Sequence, residues 1–396
     1  MFYIDFENRY FGLRTFWGST MIKKFLTAMA IGSLICACDS GTTAPPPATP
    51  KSNSSTAVPV DYTAGRTMNK ILGRGINLGN SWDSDGSDDS GWGNPIRDTD
   101  FAVIKAAGFN SVRIPVRWQN GSDYSNHTVD PNRLAGVLED IRLAIANGLA
   151  VVVNFHHYTE LNCAGGGGNG CTYNPTEFEA EKTHFLMMWA QVAQAMGEFQ
   201  DNQVVLEILN EPVIPSASLV NQLMTEAYAI IRMYAPGKTI MFETYHAAKF
   251  EDLESLKLPQ DGNIIFSGHY YLPYIYTHQG PHGNKCIGDA VDGNTAEKDM
   301  RSYVGLAYKL YPDVNGIDQV PMNMGEFGVA GGEPFSCNGT PPSKEGKAEW
   351  AKKTAKAAVD NGMSFHYWGF GRTGGFDAYN TTSETWYYGF PQALIF

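Results

Sequence analysis

Two glutamates have the residue type and the placement best suited to chemistry. Glu211 lies in Leu-Asn-Glu-Pro and Glu326 in Met-Gly-Glu-Phe-Gly, each just beyond a short apolar run typical of a buried strand. If one of two neighbouring carboxyls keeps a proton while the other is ionised, the first can protonate a leaving group and the second can attack carbon. Such a pair is suited to breaking a glycosidic bond.

The glutamates belong to a regular alternation of strands and helices. Helical periodicity predicts helices at 132–147, 177–199, 219–234, 295–310 and 344–361, with a short last helix at 391–395. Apolar runs predict eight strands, at 71–77, 110–116, 150–155, 204–209, 239–243, 264–269, 320–325 and 364–368. Eight strands with crossovers predict an α/β fold, a (β/α)8 TIM barrel in a single catalytic domain. A doubly wound sheet would carry a Gly-x-Gly-x-x-Gly turn, which the segment 73–79 does not match.

In such a barrel the functional side chains lie at the carboxyl ends of the strands. Polar or aromatic residues occupy seven of the eight predicted ends: Asn77 and Asn80, Arg113, His156 and His157, Asn210 and Glu211, His269 and Tyr271, Glu326, and Trp368. We therefore expect these residues to share one site. Glu207 lies inside the fourth predicted strand, so we expect it to be structural.

Seven segments resemble the family-5 glycoside hydrolases of clan A, in that family's order. They are Arg-Gly-Ile-Asn-Leu-Gly-Asn at 74–80, Val-Arg-Ile-Pro at 112–115, Asn-Phe-His-His at 154–157, Leu-Asn-Glu-Pro at 209–212, His-Tyr-Tyr at 269–271, Gly-Glu-Phe-Gly at 325–328 and Tyr-Trp at 367–368. The resemblance runs from about Arg66 to the C-terminus. It implies a retaining, cellulase-like endo-β-1,4-glucanase. A mannanase, xyloglucanase or mixed-linkage glucanase, or a glycan-binding surface lipoprotein without turnover, remains an alternative.

The resemblance also implies roles for the two acids and the groups around them. Glu211 would be the general acid/base, which needs a carboxyl that stays protonated near neutral pH. Glu326 would be the nucleophile, which needs to be ionised. Arg113 and Tyr271 would support the nucleophile, and His269 would supply positive charge or a hydrogen-bond donor near the pair.

The remaining roles concern the sugar. Asn210 would hold the 2-hydroxyl, and Asn77 would support the site. His156, and less directly His157, would bind hydroxyls on the non-reducing side of the cleavage point. Trp368 would stack beneath the sugar ring that is attacked. His156, His157 and Trp368 could instead be ordinary core residues, and Arg113 could form a buried ion pair inside the barrel. The chain departs from the family beyond Trp368, where the expected Asn-Gly pair is missing.

Metal sites are weaker interpretations, and we predict neither a metal nor a cofactor. Adjacent His156 and His157 at a strand end should point in opposite directions and so rarely share one zinc ion. The acidic loop 83–89 could bind calcium, but it lacks the full spacing of a calcium motif, which favours a solvated loop.

Composition narrows the class of partner. The net charge of −12 at pH 7 would repel nucleic acid and anionic membrane surfaces. The chain has 8 Trp and 20 Tyr, which suits stacking against neutral sugars. We therefore expect a β-linked polysaccharide or oligosaccharide as partner and a monomeric protein.

The first 61 residues have the pattern of an export leader and a tether. Residues 1–20 precede a complete signal, which predicts a true start at Met21. Residues 21–38 have the layout of a lipoprotein signal ending in Cys38, the candidate lipidation site. Residues 39–61 are rich in Pro, Ser and Thr and predict a linker before a barrel at 62–396. We expect a lipid anchor on the bacterial cell envelope; free secretion is the alternative.

Four further cysteines remain. The Gly-rich segment between Cys163 and Cys171 is flexible enough for its ends to meet, so we predict disulfides Cys163–Cys171 and Cys286–Cys337. A metal site is the weaker alternative, because the spacing lacks a compact Cys-x-x-Cys motif.

Overall fold

The computed structural model describes residues 57–281, 284–289, 293–330, 338–371 and 375–396. The predicted leader, Cys38 and the linker up to residue 56 lie outside the described residues. The end of the predicted linker already contacts the folded part: Val60 N donates to Pro312 O at 3.1 Å, and Val314 N donates to Val60 O at 3.1 Å.

Eight parallel strands form a closed barrel, which confirms the predicted fold class. They are β1 Arg74–Asn77, β2 Ser111–Ile114, β3 Ala150–Asn154, β4 Val204–Glu207, β5 Thr239–Phe242, β6 Ile264–His269, β7 Met322–Glu326 and β8 Ser364–Tyr367. Each strand pairs with the next, and β8 pairs with β1 to close the ring. Short two-residue strands lie outside the barrel at Cys286–Ile287, Gly339–Thr340, Tyr379–Asn380 and Thr385–Trp386.

Helices connect the strands and form the outer layer. They are α1 Thr63–Leu72, α2 Asp100–Ala107, α3 Pro131–Ala146, α4 Thr159–Ala164, α5 Pro175–Ala195, α6 Ala217–Tyr234, α7 Tyr274–Thr277, α8 Ala296–Leu310 and α9 Lys344–Asp360. Short 3-10 helices follow at Met196–Glu198 and Phe250–Ser255, and Tyr245–Ala248 is a single irregular turn. The five long predicted helices are present.

At two places the predicted type of secondary structure is wrong. The first strand does not begin at residue 71, because α1 continues through Leu72 and ends at Gly73, whose φ of 47° is accessible to glycine at little cost. The segment 391–395 forms turns closed by the Leu394 N to Pro391 O bond, not a helix.

Helix α1 closes the amino-terminal end of the barrel. Its Met68 and Leu72 belong to a buried apolar cluster with Val152, Met241 and Ile265 from the strands. This end also holds buried polar contacts, such as the hydrogen bond from Ser364 Oγ to Asn69 Oδ1 at 2.6 Å. The functional side chains of such barrels lie at the opposite, carboxyl end of the strands.

Strand register sets the predicted site residues side by side. Asn77 on β1 is the partner of Arg113 on β2, and His269 on β6 is the partner of Glu326 on β7. The register between β6 and β7 shifts just before His269. Residues far apart in the chain are therefore neighbours at one rim.

Cys163 and Cys171 form a disulfide beside this rim. Cys337 lies outside the described residues, so its pairing with Cys286 stays a prediction. Within the described ranges, none of the helices combines the length and apolar character needed to cross a bilayer.

Candidate active site

A cavity of about 470 Å³ opens at the carboxyl end of the strands. Eight of the ten residues to which the sequence assigned a role line it: His156, His157, Asn210, Glu211, His269, Tyr271, Glu326 and Trp368. The other two, Asn77 and Arg113, are fully buried beneath it. The sequence therefore predicted which residues meet, although two of them support the cavity from below.

Arg113 is the centre of the support beneath the cavity. Its Nε and Nη2 donate to both carboxylate oxygens of Glu207, at 2.8 and 2.9 Å, which is the bidentate geometry that arginine favours. Nη2 also donates to Oδ1 of Asn210 at 2.5 Å. Nη1 donates to Oδ1 of Asn77 and to Oε1 of Glu326, both at 2.9 Å. The guanidinium thus fixes one acid, Glu326, and the amide next to the other.

The two candidate acids differ in exposure. The side chain of Glu326 is 8% exposed, and that of Glu211 is 32% exposed. One carboxyl oxygen of each, together with a ring nitrogen of His269, lie within 4.8 Å of one another. Both carboxyls therefore face one small volume.

His269 is held among three carboxyls. Its Nδ1 lies 2.7 Å from Oε1 of Glu211 and 3.6 Å from Oε2 of Glu326. Its Nε2 lies 3.0 Å from Oε1 of Glu243. Burial alone would lower the pKa of His269, but the surrounding carboxyls raise it well above its ordinary value. The imidazole therefore carries a positive charge in this arrangement.

The pKa directions of the acids are opposite to those expected for their roles. Burial raises the pKa of Glu211, but the hydrogen bond to His269 and the charge of that ring outweigh burial, so the pKa is lowered. Burial raises the pKa of Glu326, and the charges of His269 and Arg113 oppose that rise without cancelling it. The pKa of Glu211 is low because its carboxyl lies against the His269 imidazole, whose own pKa is raised.

His156 and His157 both line the cavity, so the expectation that their side chains diverge is wrong. The reason is local: His157 lies past the end of β3 with a left-handed φ of 54°, which turns its ring beside that of His156, 4.1 Å between centroids. Burial lowers the pKa of His157 to about 4 and that of His156 well below its ordinary value. Both rings are therefore neutral at pH 7.

Trp368 forms a flat face in the cavity. Its ring is parallel to that of His156, with an angle of 2° and 5.8 Å between centroids. A Cβ added to Gly79 would lie 2.4 Å from the indole, so the absence of a side chain there makes room for the tryptophan. Phe376 also lines the cavity. Residues 372–374, between these two aromatic residues, lie outside the described part of the chain.

The acidic loop 83–89 is not the fully solvated loop that was expected. Asp83 is buried, and burial raises its pKa to about 6. Its Oδ2 lies 4.0 Å from Nε2 of His156. Two other carboxylates of the loop have different partners. Asp85 forms an ion pair with Arg117, and Asp89 accepts a hydrogen bond from the N–H of Ile96. They do not converge on a common point.

Two glutamates at the site were not predicted to have a part in it. Glu207 is buried in β4 and binds Arg113, so its structural role extends to the site. Glu243 directly follows β5 and contacts both Glu211 and His269. Its position in the sequence could have indicated Glu243. The fifth predicted strand ends at this residue, and it is the one predicted strand end to which no functional residue was assigned.

A closed barrel with two carboxyls facing one cavity beside an arginine, a histidine and a tyrosine is an arrangement suited to cleaving a glycosidic bond. The comparisons with known proteins specify the family. Residues 71–374 match the family described as cellulase (glycosyl hydrolase family 5). The chain belongs to glycosyl hydrolase family 5.

Curated relatives carry endoglucanase names. Endoglucanase H of Acetivibrio thermocellus is 25% identical over 330 residues, covering 80% of this chain and 32% of that protein. Endoglucanase A of Clostridium longisporum is 26% identical over 327 residues, and the match covers 75% of this chain and 57% of the Clostridium protein. The chain thus spans between about a third and somewhat over half of the length of these relatives.

Solved structures are similar over most of the barrel. Cel5A of Thermotoga maritima in complex with mannotriose is 30% identical, with a TM-score of 0.70, covering 84% of this chain and all of that one. The same enzyme in complex with cellobiose aligns at 29% identity with a TM-score of 0.68, again covering 84% and 100%.

Proposed function

We propose that the protein is a retaining endo-acting β-glycanase that hydrolyses internal β-1,4-glucosidic bonds of cellulose-like polysaccharides. The observation that carries the proposal is the approach of Glu211 and Glu326, with carboxyl oxygens within 4.8 Å. Retaining enzymes hold their carboxyl groups about 5 to 5.5 Å apart, whereas inverting enzymes need about 6.5 to 9.5 Å for an intervening water. The short separation supports direct attack by one carboxylate.

In the first step Glu326 attacks the anomeric carbon while Glu211 gives its proton to the departing oxygen. The glycosidic bond breaks and a glycosyl ester with Glu326 forms. In the second step Glu211, now ionised, takes a proton from water, whose oxygen attacks the same carbon and releases Glu326. Two inversions leave the anomeric configuration unchanged.

The surrounding contacts support this assignment of roles. Arg113 and Tyr271 each bind one oxygen of Glu326, and donors of this kind favour the ionised form and orient it. Arg113 also holds the oxygen of Asn210, so the amino group of that amide remains to donate to a sugar hydroxyl. Trp368 offers an apolar face for a sugar ring.

We assign the substrate by analogy with the relatives. The T. maritima relative was solved with both cellobiose and mannotriose, so glucans and mannans are both reasonable substrates for this site. We place β-1,4-glucan first because the curated relatives are named endoglucanases. We further infer export and a lipid anchor at Cys38 from the leader pattern, and a monomer.

The decisive experiment compares the wild type with Glu326→Gln and Glu211→Gln. Reducing ends are measured on carboxymethylcellulose, glucomannan, xyloglucan and mixed-linkage glucan, and proton NMR follows the first anomer released from cellotetraose. We expect the wild type to release β-anomers, and both variants to lose at least ~10²-fold in turnover while melting like the wild type. Release of α-anomers, or binding without release by the wild type, would refute the proposal.

A further inference from the structure

Glu243 contacts Glu211 along two routes. Its Oε2 accepts a hydrogen bond from the backbone N–H of Glu211 at 2.6 Å. Its Oε1 lies 3.0 Å from Nε2 of His269, whose Nδ1 lies 2.7 Å from Oε1 of Glu211. The contacts close a ring that runs from the Glu243 carboxyl to the Glu211 backbone, out along the Glu211 side chain and back through the imidazole.

The backbone contact holds an unfavourable conformation. Glu211 has a left-handed φ of 45°, which is strained for a non-glycine residue unless the surroundings fix it. Glu243 supplies a carboxyl oxygen to the N–H of this residue from a fully buried position. The direction in which Glu211 projects into the cavity therefore depends on Glu243.

The second contact joins two buried polar atoms. Oε1 of Glu243 and Nε2 of His269 have no aligned hydrogen bond to any group in the described part of the chain. They lie 3.0 Å apart, and unpaired buried polar atoms are costly. Each is thus positioned to respond to the protonation state of the other.

The ionisable groups that face Glu243 come from three other strands. From β2, Nη2 of Arg113 lies 3.8 Å from Oε1 of Glu243, but this guanidinium is already paired with Glu207 from β4. From β6 comes His269, and from β7 Glu326 reaches the same ring. Burial and the facing carboxyl of Glu207 raise the pKa of Glu243 well above its ordinary value, against the opposing charge of His269, so this carboxyl can hold a proton near neutral pH.

When Glu243 takes up a proton from solvent or gives one back, the preferred place of the Nδ1 proton of His269 changes. When Glu243 is ionised, its charge stabilises the imidazolium; both ring nitrogens keep their protons, and Glu211 stays ionised. When Glu243 is protonated, that stabilisation is absent, and the Nδ1 proton of His269 can pass to Oε1 of Glu211. The ring is then neutral, with its remaining proton on Nε2 facing Glu243.

We propose that Glu243 is a positioning residue for Glu211, holding its backbone through one carboxyl oxygen and, through His269, governing whether Glu211 carries the acid proton. The inference rests on the proposed hydrolase function. Glu243 touches neither sugar nor water in this role. It acts through Glu211 and His269.

The test is Glu243→Gln, which preserves shape but removes the ionisation. The form able to act as an acid has Glu243 protonated and the acid proton on Glu211. In the wild type, rising pH inactivates this form by removing a proton either from Glu243 or from the pair of His269 and Glu211. In the variant, only the pair can lose a proton. The alkaline limb of kcat/KM on cellotetraose should therefore move to higher pH by ~0.5 to 1 unit, a change of roughly 3- to 10-fold in relative activity along that limb. An unmoved limb overturns the proposal.

A second substrate separates proton supply from general damage. 2,4-Dinitrophenyl β-cellobioside has a leaving group that departs without protonation, so its cleavage does not need acid from Glu211. We expect the shift of the alkaline limb on cellotetraose and none on this substrate. Equal effects on both substrates would mean that Glu243 is merely structural. Glu243→Asp, which still ionises, should restore the limb toward that of the wild type, and Glu254→Gln, at an exposed position on Phe250–Ser255, is the matched control.

A readout without turnover keeps this proposal separate from the proposed function. Imidazole ¹⁵N NMR titration should show a lower pKa for His269 in Glu243→Gln than in the wild type, because the stabilising carboxylate is gone. An unchanged His269 pKa contradicts the inference even if the enzyme is active. Conversely, failure of the wild type to cleave any glycan refutes the hydrolase proposal, and the NMR titration still decides the part of Glu243.

Discussion

The hydroxyl of Tyr271 donates to Oε2 of Glu326 at 3.0 Å, while Arg113 binds the other oxygen of the same carboxylate. The two donors thus hold Glu326 from both sides. Hydrogen bonds to a charged group contribute about 1.5–3 kcal/mol each, and both of these favour the ionised form.

Tyr271→Phe removes one of these donors. We expect kcat on cellotetraose to fall by roughly 10- to 100-fold, the kinetic equivalent of that energy. Because the lost bond lowered the pKa of Glu326, the acid limb of kcat/KM should move to higher pH. Tyr228→Phe, which loses a comparable 2.8 Å bond to Asp261 on the outside of the barrel, is the control. A Tyr271→Phe variant with the wild-type acid limb would contradict the prediction.

Gly79→Ala tests whether the position of the Trp368 ring matters for substrate binding. The new methyl group would lie 2.4 Å from the indole, so the ring has to move. We expect KM for cellotetraose to rise by ~3- to 10-fold, with a smaller effect on thermal stability, since small displacements of a binding group weaken substrate positioning. Gly197→Ala is matched, because nothing lies within 4 Å of its Cβ position. Equal KM values in the two variants would show that Trp368 does not bind the substrate.

Asp140→Asn tests a pH-dependent stability term away from the cavity. Asp140 on α3 accepts a 2.6 Å hydrogen bond from Nε1 of Trp82, and burial raises its pKa from 3.8 to about 7. Below pH ~4 the carboxyl is protonated in both folded and unfolded chains. Between pH ~4 and about 7 the unfolded chain has lost this proton while the folded chain keeps it, so stability falls as pH rises, by at most ~4 kcal/mol in total, and levels off above about 7.

The asparagine keeps an acceptor for Trp82 but cannot ionise. Urea unfolding between pH 4 and 8 should therefore show that the wild type loses stability relative to Asp140→Asn as pH increases. Glu177→Gln, at an exposed position in the first turn of α5, serves as the control. Parallel curves for wild type and Asp140→Asn would show that Asp140 does not carry this linkage.

The Cys163–Cys171 disulfide braces the segment that follows Glu211. Asn162, next to Cys163, accepts a 3.1 Å hydrogen bond from the N–H of Val213. Replacing both cysteines by serine opens a short loop with a sequence separation of 8, for which chain entropy predicts a loss of about 2–3 kcal/mol. We expect a lower Tm by calorimetry and a lower kcat. An unchanged kcat with a lowered Tm would limit the role of the disulfide to stability.

The barrel and the membership of the site were predictable for one reason. Apolar runs mark strands, and parallel strands in a barrel bring their carboxyl ends to one rim, so a residue such as Arg113 can be assigned to the site without knowing any distance. The error at the first strand arose because Ile71 and Leu72 are apolar in either a helix or a strand. Tertiary packing of α1 against the barrel decides between them.

The electrostatics were not predictable in this way. The pKa directions of Glu211 and Glu326 depend on the placement of His269 among three carboxyls that come from separate strand ends. The shared orientation of His156 and His157 depends on a single left-handed residue. Sequence spacing does not specify such distances and dihedral angles.

Arg113 anchors four polar side chains from a position that is completely shielded from solvent. This separates two tasks for protein engineering. The outer segments of the rim loops, beyond the residues that line the cavity, can be exchanged without touching the anchoring charge. Any redesign that replaces the guanidinium would dismantle the catalytic apparatus as a unit.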